Sequence, residues 1–172
     1  MKKLNFPNFF KENIFNFIES LKKEDENFLY YPTKLGITKN GINLTLGFST
    51  YAMKLFYMTG LWNEISTSKQ NSWVNKINTY QKNNELLPEN SYIDETLLNY
   101  YLKPPLVKKA KNKLKKQVSN FSKINYYSLD QELINAVRAE TKQAISTIYQ
   151  VGYKNIKSYD DFPNKELEIV SF

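Results

Sequence analysis

The sequence predicts an all-α protein made of antiparallel helical hairpins, with one small β-hairpin near residues 35–45. Three observations favour this class. Apolar residues recur at helical spacing over most of the chain, glycines and prolines separate these segments, and an Asn-Gly pair interrupts one stretch of strand-like residues. At 172 residues the chain has the length of one ordinary domain, so we expect a single helical domain over 1–172.

The first two elements are an amphipathic helix and the hairpin. Residues 9–23 place apolar side chains on one helical face, with lysines and glutamates between them. Residues 35–45 read as two short strands around a turn at Asn40 and Gly41, because Asn-Gly is the strongest short-range hairpin signal. Since a lone hairpin is marginal in water, we expect it to lie on a helical body.

Three helices are predicted next. Residues 48–58 indicate a largely buried helix, and residues 72–81 indicate another with an aromatic face. A third helix is predicted over 91–101, where Ser91 and Asp94 fit a capping box.

The last two predicted helices follow a Pro-Pro pair. A lysine-rich helix covers 103–123, and a long helix covers 129–151, which Ser128 and Gln131 begin with a capping box and Gly152 ends. The lysine-rich helix carries an apolar stripe, which predicts packing on the body with the lysines on the solvated face. The stripe consists of Leu106, Val107, Ala110, Leu114, Val118 and Phe121.

The formal charge of +7 comes from one region. Between Glu95 and Asp130 there is no acidic residue but there are eight lysines, and the rest of the chain has a net charge of −1. A basic segment favours an anionic partner such as nucleic acid or a lipid surface. The single arginine, Arg138, argues against readout of base sequence, which relies on the bidentate arginine fork.

Absent residue types exclude several functional classes. The chain has no cysteine and no histidine, so disulfides, thiolate nucleophiles, zinc sites with Cys or His ligands and Ser-His-Asp triads are excluded. We predict no cofactor and no metal, and whether the chain is an enzyme stays open. No apolar run approaches the length of a membrane-spanning helix, so a cytoplasmic protein is expected.

Two segments resemble each other at an offset of 92 residues, 52–60 and 144–152. Alanine, tyrosine and glycine coincide in them, and each is followed by an aromatic loop. Small-residue helices that end at glycine are typical of stacked helical hairpins. On these segments, from Gly47 to Trp62 and from Glu140 to Tyr153, the chain resembles the α/α-toroid proteins, which include terpenoid-cyclase-like and six-hairpin glycan-processing folds.

The resemblance implies inner helices around a cavity that holds a glycan or another elongated substrate. The acidic motifs of those families are missing, so the resemblance assigns no catalytic residue. A closed toroid needs six hairpins of roughly 40–50 residues each, so we expect a truncated piece that a missing segment or partner chain completes. The apolar end of the chain fits this expectation: Leu167, Ile169, Val170 and Phe172.

Carboxylates and aromatic residues are the candidates for chemistry. Glu140 and Arg138 lie within an apolar helix and are the catalytic candidates, with a buried structural ion pair or a plain solvent face as the simpler alternative. Candidate sugar-binding residues, for which core or rim packing is the alternative, are Trp62, Trp73, Gln143 and Tyr51.

The competing hypothesis is a non-enzymatic module. In it the lysine-rich helix binds nucleic acid or an anionic membrane surface, and a plain solvated face is the alternative. Its anion-binding patch consists of Lys108, Lys109, Lys115 and Lys116.

Overall fold

The computed structural model describes residues 6–24, 26–39, 41–121 and 126–162, without the side chains of 6, 7 and 119–121. Within them the chain forms six α-helices, a two-stranded antiparallel sheet and two short 3₁₀ turns, which confirms the predicted class. The helices are α1 (Phe6–Glu19), α2 (Leu46–Met58), α3 (Thr67–Asn78), α4 (Glu95–Leu102), α5 (Leu106–Phe121) and α6 (Leu129–Gln150), and the strands are β1 (Gln81–Lys82) and β2 (Ser91–Tyr92).

Helix α6 passes through both of the apolar clusters that form the core. Its first half contributes Leu133 and Val137 to a small cluster with residues of α4. Its second half contributes Ala144 and Ile148 to a larger cluster with α1, α2 and α3. All four side chains are nearly inaccessible to solvent. Helix α6 therefore connects the two clusters and packs against α2, α4 and β2.

Aromatic rings fill the larger cluster around Trp73. Phe28 and Tyr30 stack on the indole with centroids at 5.5 and 5.4 Å, and Phe56 meets it edge-on at 5.1 Å. Trp62 lies 5.8 Å away. Such ring pairs add stability beyond the apolar area that they bury. Trp73, which belongs to α3, thereby packs Phe28 and Tyr30 on one side and Phe56 of α2 on the other.

The buried carboxylate of Asp94 joins the starts of two helices. Its Oδ2 accepts hydrogen bonds from the backbone N–H of Thr45 at 2.8 Å and of Leu46 at 3.1 Å, and its Oδ1 accepts one from Thr96 N–H at 2.9 Å. The Thr45 side chain does not cap α2, so Asp94 supplies an acceptor for the free N–H groups there and also caps α4. The positive ends of two helix dipoles favour its charge.

The predicted position of the hairpin is wrong. The described residues of 35–45 form turns and a 3₁₀ turn at Gly41–Asn43, and Asn40 of the predicted Asn-Gly turn lies outside the described residues. The sheet lies instead at β1 and β2, where Gln81 pairs with Tyr92 and Lys82 with Ser91. Thr38 keeps the earlier segment compact, because its Oγ1 accepts a hydrogen bond from the Gly41 N–H.

The helix ends were predicted with mixed success. The capping box of Ser128 and Gln131 is confirmed, and the glycines after α2 and α6 have the expected positive φ of 75° and 86°. The capping box of Ser91 and Asp94 is wrong, because Asp94 itself caps α4 while Ser91 lies in β2 and donates to the Pro88 carbonyl. Helix α3 also begins earlier than predicted, with Ser66 as its cap.

We expect Asp94→Ala to lower the free energy of unfolding by roughly 3–5 kcal/mol, because three backbone N–H groups lose their acceptor and two helices lose a cap. Chemical denaturation measures this change. The neighbouring Glu95→Ala is the control, since Glu95 is exposed and its ion pair with Lys82 should contribute less than about 1 kcal/mol. Equal effects of the two substitutions would contradict the capping role.

Candidate functional site

Helix α5 turns its apolar stripe toward solvent. Leu106 is 82% exposed, Val107 69%, Leu114 60% and Val118 46%, whereas Phe121 of the predicted stripe has no described side chain. The prediction that this stripe packs on the body, with the lysines as the solvated face, is therefore wrong. At about 100° per residue the stripe covers roughly a third of the helix circumference.

Two lysines on the opposite side of α5 hold the helix to the body. Lys115 Nζ lies 2.9 Å from Glu132 Oε1, and Lys108 Nζ lies 3.8 Å from Glu132 Oε2. Lys108 also lies over the rings of Tyr100 and Tyr101, 4.2 and 3.4 Å from their centroids. Burial lowers the pKa of Lys108, although the Glu132 carboxylate acts in the other direction.

Four further lysines of α5 form no ion pair within the described residues: Lys109, Lys111, Lys113 and Lys116. By helical geometry Lys111 borders one edge of the apolar stripe and Lys113 the other, whereas Lys109 and Lys116 lie roughly 60–80° beyond the edge that Lys113 borders. The predicted anion-binding patch is thus divided. Lys109 and Lys116 are exposed, while Lys108 and Lys115 interact with the body.

Glu140 is a partly buried acid beside the start of α2, with an inaccessible carboxyl oxygen. Its Oε1 lies 3.6 Å from the position that a Cβ at Gly47 would take, and its Oε2 has no hydrogen-bond partner within the described chain. Burial raises the pKa of Glu140 to about 8, with the negative charge of Asp94 as a further cause. The catalytic candidate therefore lies inside the packed region, beside the Asp94 carboxylate.

Arg138, the second catalytic candidate, forms an ion pair with Asp161. The pair is partly exposed, whereas the alternative predicted for it was a buried pair. Arg138 Nε and Nη2 donate to the two carboxylate oxygens of Asp161 at 2.6 and 2.9 Å. Tyr159 donates from its hydroxyl to the same carboxylate at 3.1 Å. This pairing raises the pKa of Arg138 and ties the segment after α6 back to the first half of that helix.

The four candidate sugar-binding residues do not form one site. Trp62 and Trp73 are buried side by side in the aromatic cluster, which is the packing role that was their alternative. Tyr51 is 55% exposed on α2. Gln143 lies on α6, where its side-chain N–H donates to Thr147 at 3.3 Å.

Three residues that determine this geometry were not recognised from the sequence. Glu132 lies in the first turn of α6, yet it holds two lysines of α5. Tyr100 and Tyr101 provide the rings under Lys108. All three depend on contacts between separate helices, for which a single sequence carries no local signal.

Comparisons with known proteins identify no relative. No family model matches the chain, and neither a curated protein nor a solved structure does. The resemblance to α/α toroids therefore stays a prediction.

Membrane-spanning and metal-binding features were also sought in the described part of the chain. None of its helices is both long and apolar enough to cross a bilayer. Nor do its acidic residues form a group of three that could hold a metal ion.

We expect Glu140→Gln to stabilise the protein increasingly as the pH rises from about 4.5 to 8. The folded state binds the Glu140 proton more tightly than the unfolded chain does, so the wild type loses stability over this range and the amide does not. The gain at alkaline pH is on the order of 5 kcal/mol. Denaturation at several pH values measures it against Glu12→Gln, an exposed site. A difference that does not change with pH would contradict the burial of an ionisable carboxyl.

Proposed function

We propose that the protein binds the surface of anionic lipid membranes through α5. The observation that carries this proposal is the exposed apolar stripe of α5 between two edges of lysines that form no ion pair within the described residues. Interfacial helices have this arrangement, because the apolar face enters the headgroup boundary while lysines reach the lipid phosphates.

The energetics suit reversible attachment. Each lysine near an anionic surface contributes about 1 kcal/mol, so Lys109, Lys111, Lys113 and Lys116 together contribute about 4 kcal/mol at moderate salt. The exposed leucines and valines add an apolar contribution that salt does not screen. Charge attraction by the lysines and insertion of the apolar side chains therefore both favour binding through α5.

The exposed stripe favours a membrane over nucleic acid. Phosphate-backbone binding needs lysines but no row of aliphatic side chains, and the single arginine of the chain is paired with Asp161. Glycan binding is the other predicted function. The two tryptophans that were expected to stack on sugar rings, Trp62 and Trp73, are both buried and do not support it.

The proposal includes the cytoplasmic location that the sequence predicts. Anionic lipids are concentrated in the cytoplasmic leaflet, where basic segments bind. The partner is thus a lipid surface, and the protein acts as a peripheral module.

We expect Lys109→Gln/Lys116→Gln to weaken binding to phosphatidylserine-containing vesicles by roughly tenfold or more at low salt. The matched control is Lys108→Gln/Lys115→Gln, which removes the same charge at the same seven-residue spacing but from the side that faces Glu132. We expect the control to bind within about twofold of the wild type, since Glu132 holds those two lysines against the body. Vesicle co-sedimentation measures both.

Two results would overturn the proposal. One is equal loss in the two double variants, which would mean that binding follows total charge alone. The other is no vesicle binding together with steeply salt-dependent binding of RNA or DNA, which would support the nucleic-acid alternative instead.

We expect Leu114→Ser to reduce vesicle binding severalfold, even at salt concentrations that screen the lysines. The control is Leu86→Ser, because Leu86 is 57% exposed against 60% for Leu114 and lies outside α5. Circular dichroism of both variants checks that the helices are intact. If the two serines have the same effect, the apolar stripe does not contact lipid.

A further inference from the structure

A groove beside the aromatic cluster has no role in the proposed membrane contact. It lies between the end of α1, residues 26–30 and α3, and its cavity volume is about 770 Å³. Small-molecule sites typically have volumes of roughly 300–1,000 Å³. The groove therefore has the size of a ligand site.

Aromatic side chains line the inner part of this groove. Phe15 and Phe28 are its accessible rings, whereas Tyr30, Phe56 and Trp73 form a layer behind them and are only 2–3% exposed. Within that inner layer, the inaccessible indole Nε1 of Trp73 has no hydrogen-bond partner in the described chain.

Phe28 is held at this wall in an unfavourable backbone conformation. Its φ is +65°, in the left-handed region that a bulky residue rarely adopts. Strain of this kind is concentrated where side chains are positioned for ligands. Stacking on Trp73 at 5.5 Å keeps the Phe28 ring in place.

The rim of the groove is positively charged. Glu19 lies 3.8 Å from Lys22, and Glu26 lies 3.6 Å from Lys76, so each acid of the rim is matched by a lysine. Lys69 is a third, exposed lysine on the rim, and it forms no ion pair in the described ranges. An anion at this rim would meet one uncompensated positive charge.

We infer that this groove binds a small organic anion with a flat apolar body. The rings of Phe15 and Phe28 would contact the body of the ligand, and Lys69 would pair with its carboxylate, sulfonate or phosphate group. The site is independent of α5 and does not rest on membrane binding.

Anilinonaphthalene sulfonate is a suitable probe, because it combines a flat apolar body with one negative charge. We expect saturable binding to the full chain with one probe per molecule, measured by fluorescence titration and calorimetry. Ser72→Phe places a ring in the groove from an exposed position of α3, and we expect at least a tenfold loss of affinity. Asn71→Phe adds the same ring one residue away, at an exposed position that does not line the groove, and should bind like the wild type.

Charge is tested by a second matched pair. Lys69→Gln should weaken binding severalfold, whereas Lys39→Gln removes the same charge from an exposed residue outside the groove and should not. Circular dichroism checks the fold of each variant. Absence of saturable binding, or equal affinities of Ser72→Phe and Asn71→Phe, would overturn the inference. Affinity that falls with Leu114→Ser instead would place the probe on α5 and overturn it as well.

Discussion

The buried charge of Asp94 is the constraint on which the arrangement of this protein depends. A carboxylate can be buried only where several donors replace water, and here the donors come from Thr45, Leu46 and Thr96. Those donors belong to the starts of α2 and α4, so both helices must converge on one point. The Thr45 hydroxyl also lies 2.5 Å from the hydroxyl of Tyr80, which extends the polar contacts to the end of α3.

This polar centre explains why Glu140 occupies an unusual environment. Helix α6 packs along α2, and Glu140 comes close to Gly47 near the point where Asp94 already holds a negative charge. A second buried carboxylate there is more stable protonated than ionised. The same packing that stabilises the Asp94 contacts thus places a neutral acid beside them, and this explains the raised pKa without any catalytic role.

The sequence predicts most of the helices but not how they meet. Local apolar periodicity and glycine caps were sufficient for α2 and α6, because those signals act within a few residues. The hairpin was misplaced because the Asn-Gly signal is equally compatible with a compact turn, while β1 and β2 have only two residues each and leave no alternating pattern.

The orientation of α5 could not be predicted because it depends on Glu132, Tyr100 and Tyr101, which belong to other helices. The amphipathic pattern of α5 gives the width of its apolar face and the places of its lysines. It contains no information on whether that face turns toward the body or toward solvent. The ion pairs of Lys108 and Lys115 with Glu132 turn that side of α5 toward the body, and the apolar face is left exposed to solvent.

The position of both tryptophans in one aromatic cluster determines what intrinsic fluorescence can report. Trp62 and Trp73 are the only tryptophans of the chain and lie 5.8 Å apart in the larger cluster. The smaller cluster of α4 and the first half of α6 contains none. Indole emission is therefore a local reporter of one half of the core, whereas far-ultraviolet dichroism averages over all helices. Comparison of the two signals during denaturation distinguishes the separate loss of one cluster from a single cooperative transition.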